Sequence, residues 1–407
     1  MYPNIKFLRM SVIFSSLLGI FPWQFMFEKN EPYRRMYAAY SKIMLTAYII
    51  FIITIYIQFV CLMREDSLRL DEIGRNVGIW LIYTMTVVRQ LLIKIHPGFK
   101  KLLQHIIDTE KYLYSSQEHA VMKIYETYSK LTTINLVRYL VLMVFVLLFH
   151  LLRPFFTSDC IVINGNQTVE LKMFPVASWF PFDDQKYFLA AYVINFVSSM
   201  IGASFVAYTD VIMYPLITYP VSQLKILQHI LKNVEDYQRK IKLQIPQEND
   251  NRIAFVTFRC CVNKHREIIE YMDYFNESMG IFMIFDFLQS SLQFSSVVIQ
   301  LLVVQASWWD WIFVTTFVCF LINRLLMYYY YANEVLLVSD NLSFAIWESG
   351  WYDQPKQVKF MMQIFMLRLT RPLKFDIGPF GFMSLNTFIA ILKASYSYIM
   401  LMHSTGD

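Results

Sequence analysis

No set of residues in this sequence is spaced for covalent chemistry. The seven histidines never recur at the i, i+4 interval that binds zinc, no glycine-rich loop could cradle a phosphate, and no serine sits in a nucleophile elbow. His265 falls in a helical stretch and reads as a packing or capping histidine. The five cysteines, Cys61, Cys160, Cys260, Cys261 and Cys319, are odd in number and scattered; they form neither a metal set nor a disulfide framework, and a single Cys61–Cys160 bridge is the one pairing left open. Neither an enzyme, a cofactor nor a metal is expected. The spacing that does carry chemistry lies in the last twenty-five residues. Projected at ~100° per residue, Thr387, Ala390, Ala394, Ser397 and Leu401 share one narrow face of small or weakly polar side chains. Such a face serves either close helix packing, with Ala390 and Ala394 four apart, or the wall of a narrow water-filled pore. In the pore reading Leu401 is a hydrophobic constriction that gates by dewetting, with Ser397 below it and Thr405 above. Lys393 projects ~80° away from this face and is expected to pair inside the protein or to snorkel.

A face of this kind has to be held in a membrane, and the composition provides for one. Of 407 residues 56% are hydrophobic and only 16% charged, against roughly a quarter charged in soluble domains. The net charge of +5 includes no basic run suited to a nucleic-acid partner. Seven spans are expected, at 40–62, 74–95, 131–152, 187–209, 281–304, 311–331 and 383–402. Among the charged residues in or near them, most can snorkel, whereas Arg138 and Arg324 are the better candidates for buried partners.

Orientation follows from the loops. Segments 1–39, 96–130, 210–280 and 332–382 hold 24 Lys and Arg, against 5 in 63–73, 153–186, 305–310 and 403–407. The first set is therefore expected in the cytoplasm. The predicted organisation is an all-α integral membrane protein of seven helices with a cytoplasmic N-terminus and an extracellular C-terminus. A cytoplasmic segment, 1–39, carries an interfacial helix with Trp23 as anchor; helices one to four occupy 40–209; cytoplasmic extensions of helices four and five fill 210–280, turning at 245–251. Helices five and six occupy 281–331, a cytoplasmic segment with the first half of helix seven occupies 332–382, and the spanning half of helix seven, 383–402, ends in an extracellular tail at 403–407. Of the sequons at Asn166, Asn276 and Asn341, only Asn166 would face the exterior and could carry a glycan. The exterior loops hold ten acidic residues, which would concentrate cations at a pore mouth.

The run from Tyr328 to Met402 joins Trp351-Tyr352-Asp353, Arg371-Pro372-Leu373 and Tyr396-Ser397-Tyr398 at spacings that resemble the insect odorant receptor family. CCVNKHREIIEYMDYF around His265 fits the same family, and the likeness covers most of the chain, with less detail in the first half. Gustatory receptors are close relatives, but their final helix typically carries a Thr-Tyr followed by Gln-Phe, from which SYSYIMLM departs. The resemblance implies a subunit of an odorant-gated, non-selective cation channel in the plasma membrane of olfactory sensory neurons. Four subunits would surround one pore lined by each last helix, and this tuning subunit would join a shared co-receptor, which is longer in its second cytoplasmic loop. Segments 210–280 and 332–382 would then form the intracellular anchor domain. A volatile hydrophobic odorant would occupy an outer pocket drawn from Trp80, Tyr83 and Thr84, from Met143, Val146 and His150, from Tyr192 and Phe196, and from Phe317; of these, Trp80, Tyr83 and Thr84 are spaced to share a helical face. The alternatives are a gustatory-type ligand-gated channel and a seven-helix receptor that signals through cytoplasmic partners without its own pore.

Overall fold

The computed structural model describes residues 5–20, 31–64, 70–116, 118–156, 160–164, 167–172, 174–303 and 308–406. Helices dominate them: α1 (Arg9–Leu17), α2 (Glu31–Arg64), α3 (Leu70–Ile95), α4 (Pro97–Ser116), α5 (His119–Leu152), α6 (Phe188–Lys232), α7 (Val234–Gln244), α8 (Asp250–Val303), α9 (Trp308–Asp340), α10 (Leu342–Trp347), α11 (Lys356–Leu369) and α12 (Leu385–Gly406). The stretch expected to be an exterior loop also folds an antiparallel hairpin, β1 (Cys160–Asn164) against β2 (Gln167–Leu171). Its β-branched residues, Ile161, Val162, Ile163, Thr168 and Val169, are ordinary strand material.

Among the described residues, α2, α3, α5, α6 and α9 each contain a stretch long and apolar enough to cross a membrane. The other two expected spans fall in α8 and α12, whose later turns include side chains outside the described residues. At ~1.5 Å per residue, the 45 residues of α6 and the 54 of α8 far exceed a hydrocarbon core. They run on as the extensions read from their helical periodicity, joined through α7 and the turn at 245–249. α11 ends at Leu369, three residues before Pro372, which cannot continue a helix. Trp23 lies outside the described residues.

α6 is the axis of the core. Every residue from Ala207 to Leu224 is buried, although Pro215 and Pro220 sit inside the helix, where each removes an N–H from the carbonyl four residues earlier. Both orphaned carbonyls are taken up by side chains from neighbouring helices. Ser11 Oγ of α1 donates to Val211 O at 2.6 Å, and the Tyr271 hydroxyl of α8 donates to Leu216 O at 2.9 Å. Two kinks that would weaken an isolated helix thereby become the points where α1 and α8 lock onto it. Nearby, the buried Glu110 carboxylate of α4 accepts the backbone N–H groups of Lys6 and Phe7 and the Tyr125 hydroxyl, fastening the chain just before α1.

Candidate ligand cavity and the charge cluster beneath it

An apolar cavity of about 170 Å³ lies among α3, α5, α6, α8 and α9. A dry apolar cavity of ~150 Å³ already accepts benzene, so this one suits a single ring or a short chain. One face of α5 supplies Tyr139, Met143, Val146 and His150, at helical intervals of four, three and four. Phe313, Phe317 and Phe320 form a matching face on α9. The two faces meet in one aromatic ladder. His150 lies 5.1 Å from Phe313, Phe313 stacks on Phe317 at 5.7 Å, Phe317 lies 6.3 Å from Phe320, and Phe320 stacks on Tyr139 at 5.4 Å. α3 adds Gly78, Ile79, Ile82 and Tyr83, α6 adds Ala203 and Val206, and the Pro175–Val176 segment closes one side. The polar side chains in this wall are His150, Tyr139, Tyr83 and Gln293, few enough to orient a ligand without wetting the site.

Of the pocket residues expected from the sequence, Tyr83, Met143, Val146, His150 and Phe317 line this cavity, and Trp80, Thr84, Tyr192 and Phe196 do not. Trp80 and Thr84 turn to α2 instead. The Trp80 ring lies 5.1 Å from Tyr56, and Thr84 Oγ1 is 2.9 Å from the Tyr56 hydroxyl. The 0, 3, 4 spacing does place three residues on one side of α3, but that side straddles α2 and the cavity, and only Tyr83 reaches inward. Tyr192 donates to Leu151 O at 2.9 Å and its ring sits 6.3 Å from Phe196, so that pair packs against the end of α5. Gly202 explains how Tyr83 can be so placed: a Cβ there would stand 2.8 Å from the ring, so only glycine lets α6 approach this closely. Tyr139, Phe313 and Phe320 were absent from the expected set, although each lies one helical turn from a residue within it.

Beneath the cavity, four charged side chains meet in a fully buried cluster: Arg89 of α3, Asp210 of α6, Asp286 of α8 and Arg324 of α9. Arg324 grips Asp210 with both a Nε–Oδ2 and a Nη2–Oδ1 contact at 2.8 Å and also pairs with Asp286. Arg89 lies 2.8 Å from Asp286 and 3.7 Å from Asp210, and it is bonded to Gln289. The tyrosines complete the acceptor shell, Tyr139 donating to Asp210 Oδ2 at 2.6 Å and Tyr328 to Oδ1 at 3.0 Å. Two positive and two negative charges cancel, which is the condition for burying them at tolerable cost. Arg324 is thus buried with partners, as its sequence position suggested. Arg138, expected to have a buried partner, is instead exposed, while Arg89 is buried. Helix register, invisible to a hydropathy window, separates them.

The last helix presents two sides. Ile391 and Ser395 are buried against the body of the protein, whereas Ala390, Lys393, Ala394 and Ser397 are uncovered in the single chain. Lys393 therefore does not pair within the buried interior. The side chains of Leu401 and Thr405, and all of Asn166, lie outside the described residues. Cys61 is a free thiol.

A family model described as "7tm Odorant receptor" matches residues 69–396. The chain is 23% identical to Odorant receptor 30a of Drosophila melanogaster over 96% of both chains. It is 25% identical to Odorant receptor 10 of Aedes albopictus and 24% identical to Odorant receptor Or2 of Anopheles gambiae, in matches spanning 41% and 39% of those proteins. In fold it resembles the insect olfactory receptor OR5 from Machilis hrabei, solved in complex with eugenol, with a TM-score of 0.74 at 17% identity over 98% of each chain. A bundle of long apolar helices around a small aromatic cavity, matched over four-fifths of the chain by this family model, identifies a multi-pass membrane receptor and not an enzyme: the chain belongs to the 7tm odorant receptor family.

Proposed function

We propose that this chain is the ligand-tuning subunit of an odorant-gated, non-selective cation channel, assembled with the shared co-receptor as a heterotetramer in the plasma membrane of olfactory sensory neurons. The observation that carries the reading is the cavity: about 170 Å³, walled by an aromatic ladder, with His150, Tyr139, Tyr83 and Gln293 as its polar groups. That volume and lining favour a small, volatile, mostly hydrophobic molecule with few hydrogen-bonding oxygens, and the structurally similar OR5 was solved in complex with eugenol, a small aromatic volatile. Ala390, Ala394 and Ser397 of α12 are uncovered in the single chain, which supports a permeation path along that face, with Leu401 as its expected constriction and Thr405 above. Ligand opens the pore to the extent that it binds the open arrangement more tightly than the closed one.

Whole-cell current under a panel of volatiles, with this chain expressed alone and then with an insect co-receptor, tests the reading. A cation current evoked only with the co-receptor is expected. A G-protein-dependent signal without current would overturn the channel, and a response to sugars without any co-receptor would point to a gustatory-type channel instead.

A further inference from the structure

One wall of the cavity belongs at the same time to the charge cluster. The ring of Tyr139 lines the cavity and stacks on Phe320, while its hydroxyl donates to the buried Asp210 carboxylate. The Oδ2 atom that takes this bond is also the one held by Arg324 Nε. Arg324 in turn divides itself between Asp210 and Asp286. From there two short routes lead to the start of α12. Phe287, next to Asp286, stacks at 4.6 Å on Phe380 in the turn that precedes α12, and Tyr329, next to Tyr328, lies 6.4 Å from Phe388 within it. The Asn333 side chain of α9 also accepts the Leu385 N–H at the first turn of α12, at 3.4 Å.

We propose that Tyr139 is the positioning residue through which a molecule in the cavity biases the last helix. The proposal rests on the channel reading above. A ligand pressing on the Tyr139–Phe320 stack turns the phenol away from Asp210. The carboxylate, short of one donor, then draws Arg324 closer, and Arg324 loosens its hold on Asp286. A buried carboxylate in a low-dielectric cluster has no water to replace the lost donor, so a small rotation of one ring is felt by the whole cluster. Because four helices each contribute one of these four charges, the rearrangement is shared among α3, α6, α8 and α9, and α8 and α9 both pack against α12. In this proposal the Tyr139–Asp210 bond belongs to the closed arrangement, and its loss favours opening.

The test is Tyr139→Phe, which keeps the ring and removes only the donor, paired with a fluorinated tyrosine at position 139, whose more acidic phenol donates more strongly. Both are expressed with the co-receptor and compared with wild type for ligand-free current and for half-maximal concentration across several volatiles, with surface protein measured in parallel. Losing one hydrogen bond to a charged group shifts an equilibrium by about tenfold or more. Y139F should therefore raise ligand-free current and lower the half-maximal concentration by about tenfold for all ligands alike, and the fluorinated residue should move both the other way. Unchanged values, shifts in the same direction for both replacements, or a change confined to ligands bearing a hydrogen-bonding oxygen would overturn the proposal, the last by reducing Tyr139 to a binding contact. Wild-type protein that reaches the surface and never conducts would instead refute the channel reading beneath it.

Discussion

The charge cluster makes a prediction in which two damaging substitutions repair each other. Arg324→Met removes the cation that grips Asp210 at two points and pairs with Asp286. Two buried carboxylates then share Arg89 alone, 3.7 Å and 2.8 Å away, and the cluster carries one uncompensated negative charge. Asp210→Asn leaves the opposite imbalance. Breaking a buried pair in this way costs about 3–5 kcal/mol, because a charge stays buried without its partner. Removing both members leaves Arg89 with Asp286 at 2.8 Å, a neutral and still bonded pair, and the cost should mostly vanish. For a chain of 407 residues the melting entropy of ~2.1 cal/mol/K per residue converts each single substitution to about 4–6 °C. The assay is thermal loss of the monodisperse peak of detergent-solubilised protein, for wild type, both singles and the double. The double variant is expected within about 2 °C of wild type, and thus well above either single. If instead the three variants fall additively, the four charges do not act as a compensated unit and the energetic argument for their burial fails.

Four further outcomes follow from the geometry. Val146→Phe, which fills part of the cavity, should raise the half-maximal concentration for the largest effective volatiles by about tenfold and affect the smallest ones least, as seen by dose–response. Tyr271→Phe takes the donor from the carbonyl orphaned by Pro220 and should destabilise the protein by about 1–3 kcal/mol in the same thermal assay, whereas substituting Tyr112, whose side chain is exposed, should not. His265, in the first half of α8, is buried against Phe365, and burial, helped by Arg368, pushes its pKa down to about 4. The fold thus accommodates the neutral ring: stability is full above pH ~6.5 and is lost as pH falls towards 4, amounting to about 1.4 kcal/mol at pH 5.5. A His265→Gln variant should lose that slope in a melt at several pH values. Asn166→Gln should abolish a glycosidase-sensitive mobility shift if the hairpin loop faces the exterior, whereas a wild-type chain that never shows the shift would count against the proposed orientation.

How much of this was open to a reader of the sequence depends on whether the property is local. Helices α6 and α8 and the turn between them could be read because apolar spacing repeats along each helix, and the Pro372 break because proline acts on its own backbone. The pairing of β1 with β2 was not expected, because two five-residue strands inside a stretch between apolar spans leave no mark in a hydropathy profile. For the cavity, the outer residues of α5 and α9 could be grouped, but their limits could not. Tyr139 and Phe320 continue the faces of Met143 and Phe317 by one turn, and nothing in a single helix says where a cavity ends.

Charges show the boundary between local and non-local information most sharply. Arg89 and Arg138 look alike in a hydropathy window, each a lone cation inside an apolar run. One faces Asp210 and Asp286 and the other is exposed, because helix rotation, set by packing against three other helices, decides which neighbours each side chain meets. The missing clue was numerical and was available. Asp210 and Asp286 lie where the helical extensions meet the expected spans, at a depth similar to that of Arg89 and Arg324, and isolated buried ions of either sign would be far too costly to keep. Two cations and two anions within apolar surroundings therefore call for one another before any coordinates are known. What the sequence could not supply is the tyrosine between this cluster and the cavity. A phenol is apolar enough to count as a wall and polar enough to bond a carboxylate, and Tyr139 does both at once. That double membership turns a stabilising cluster into a device able to sense what fills the cavity.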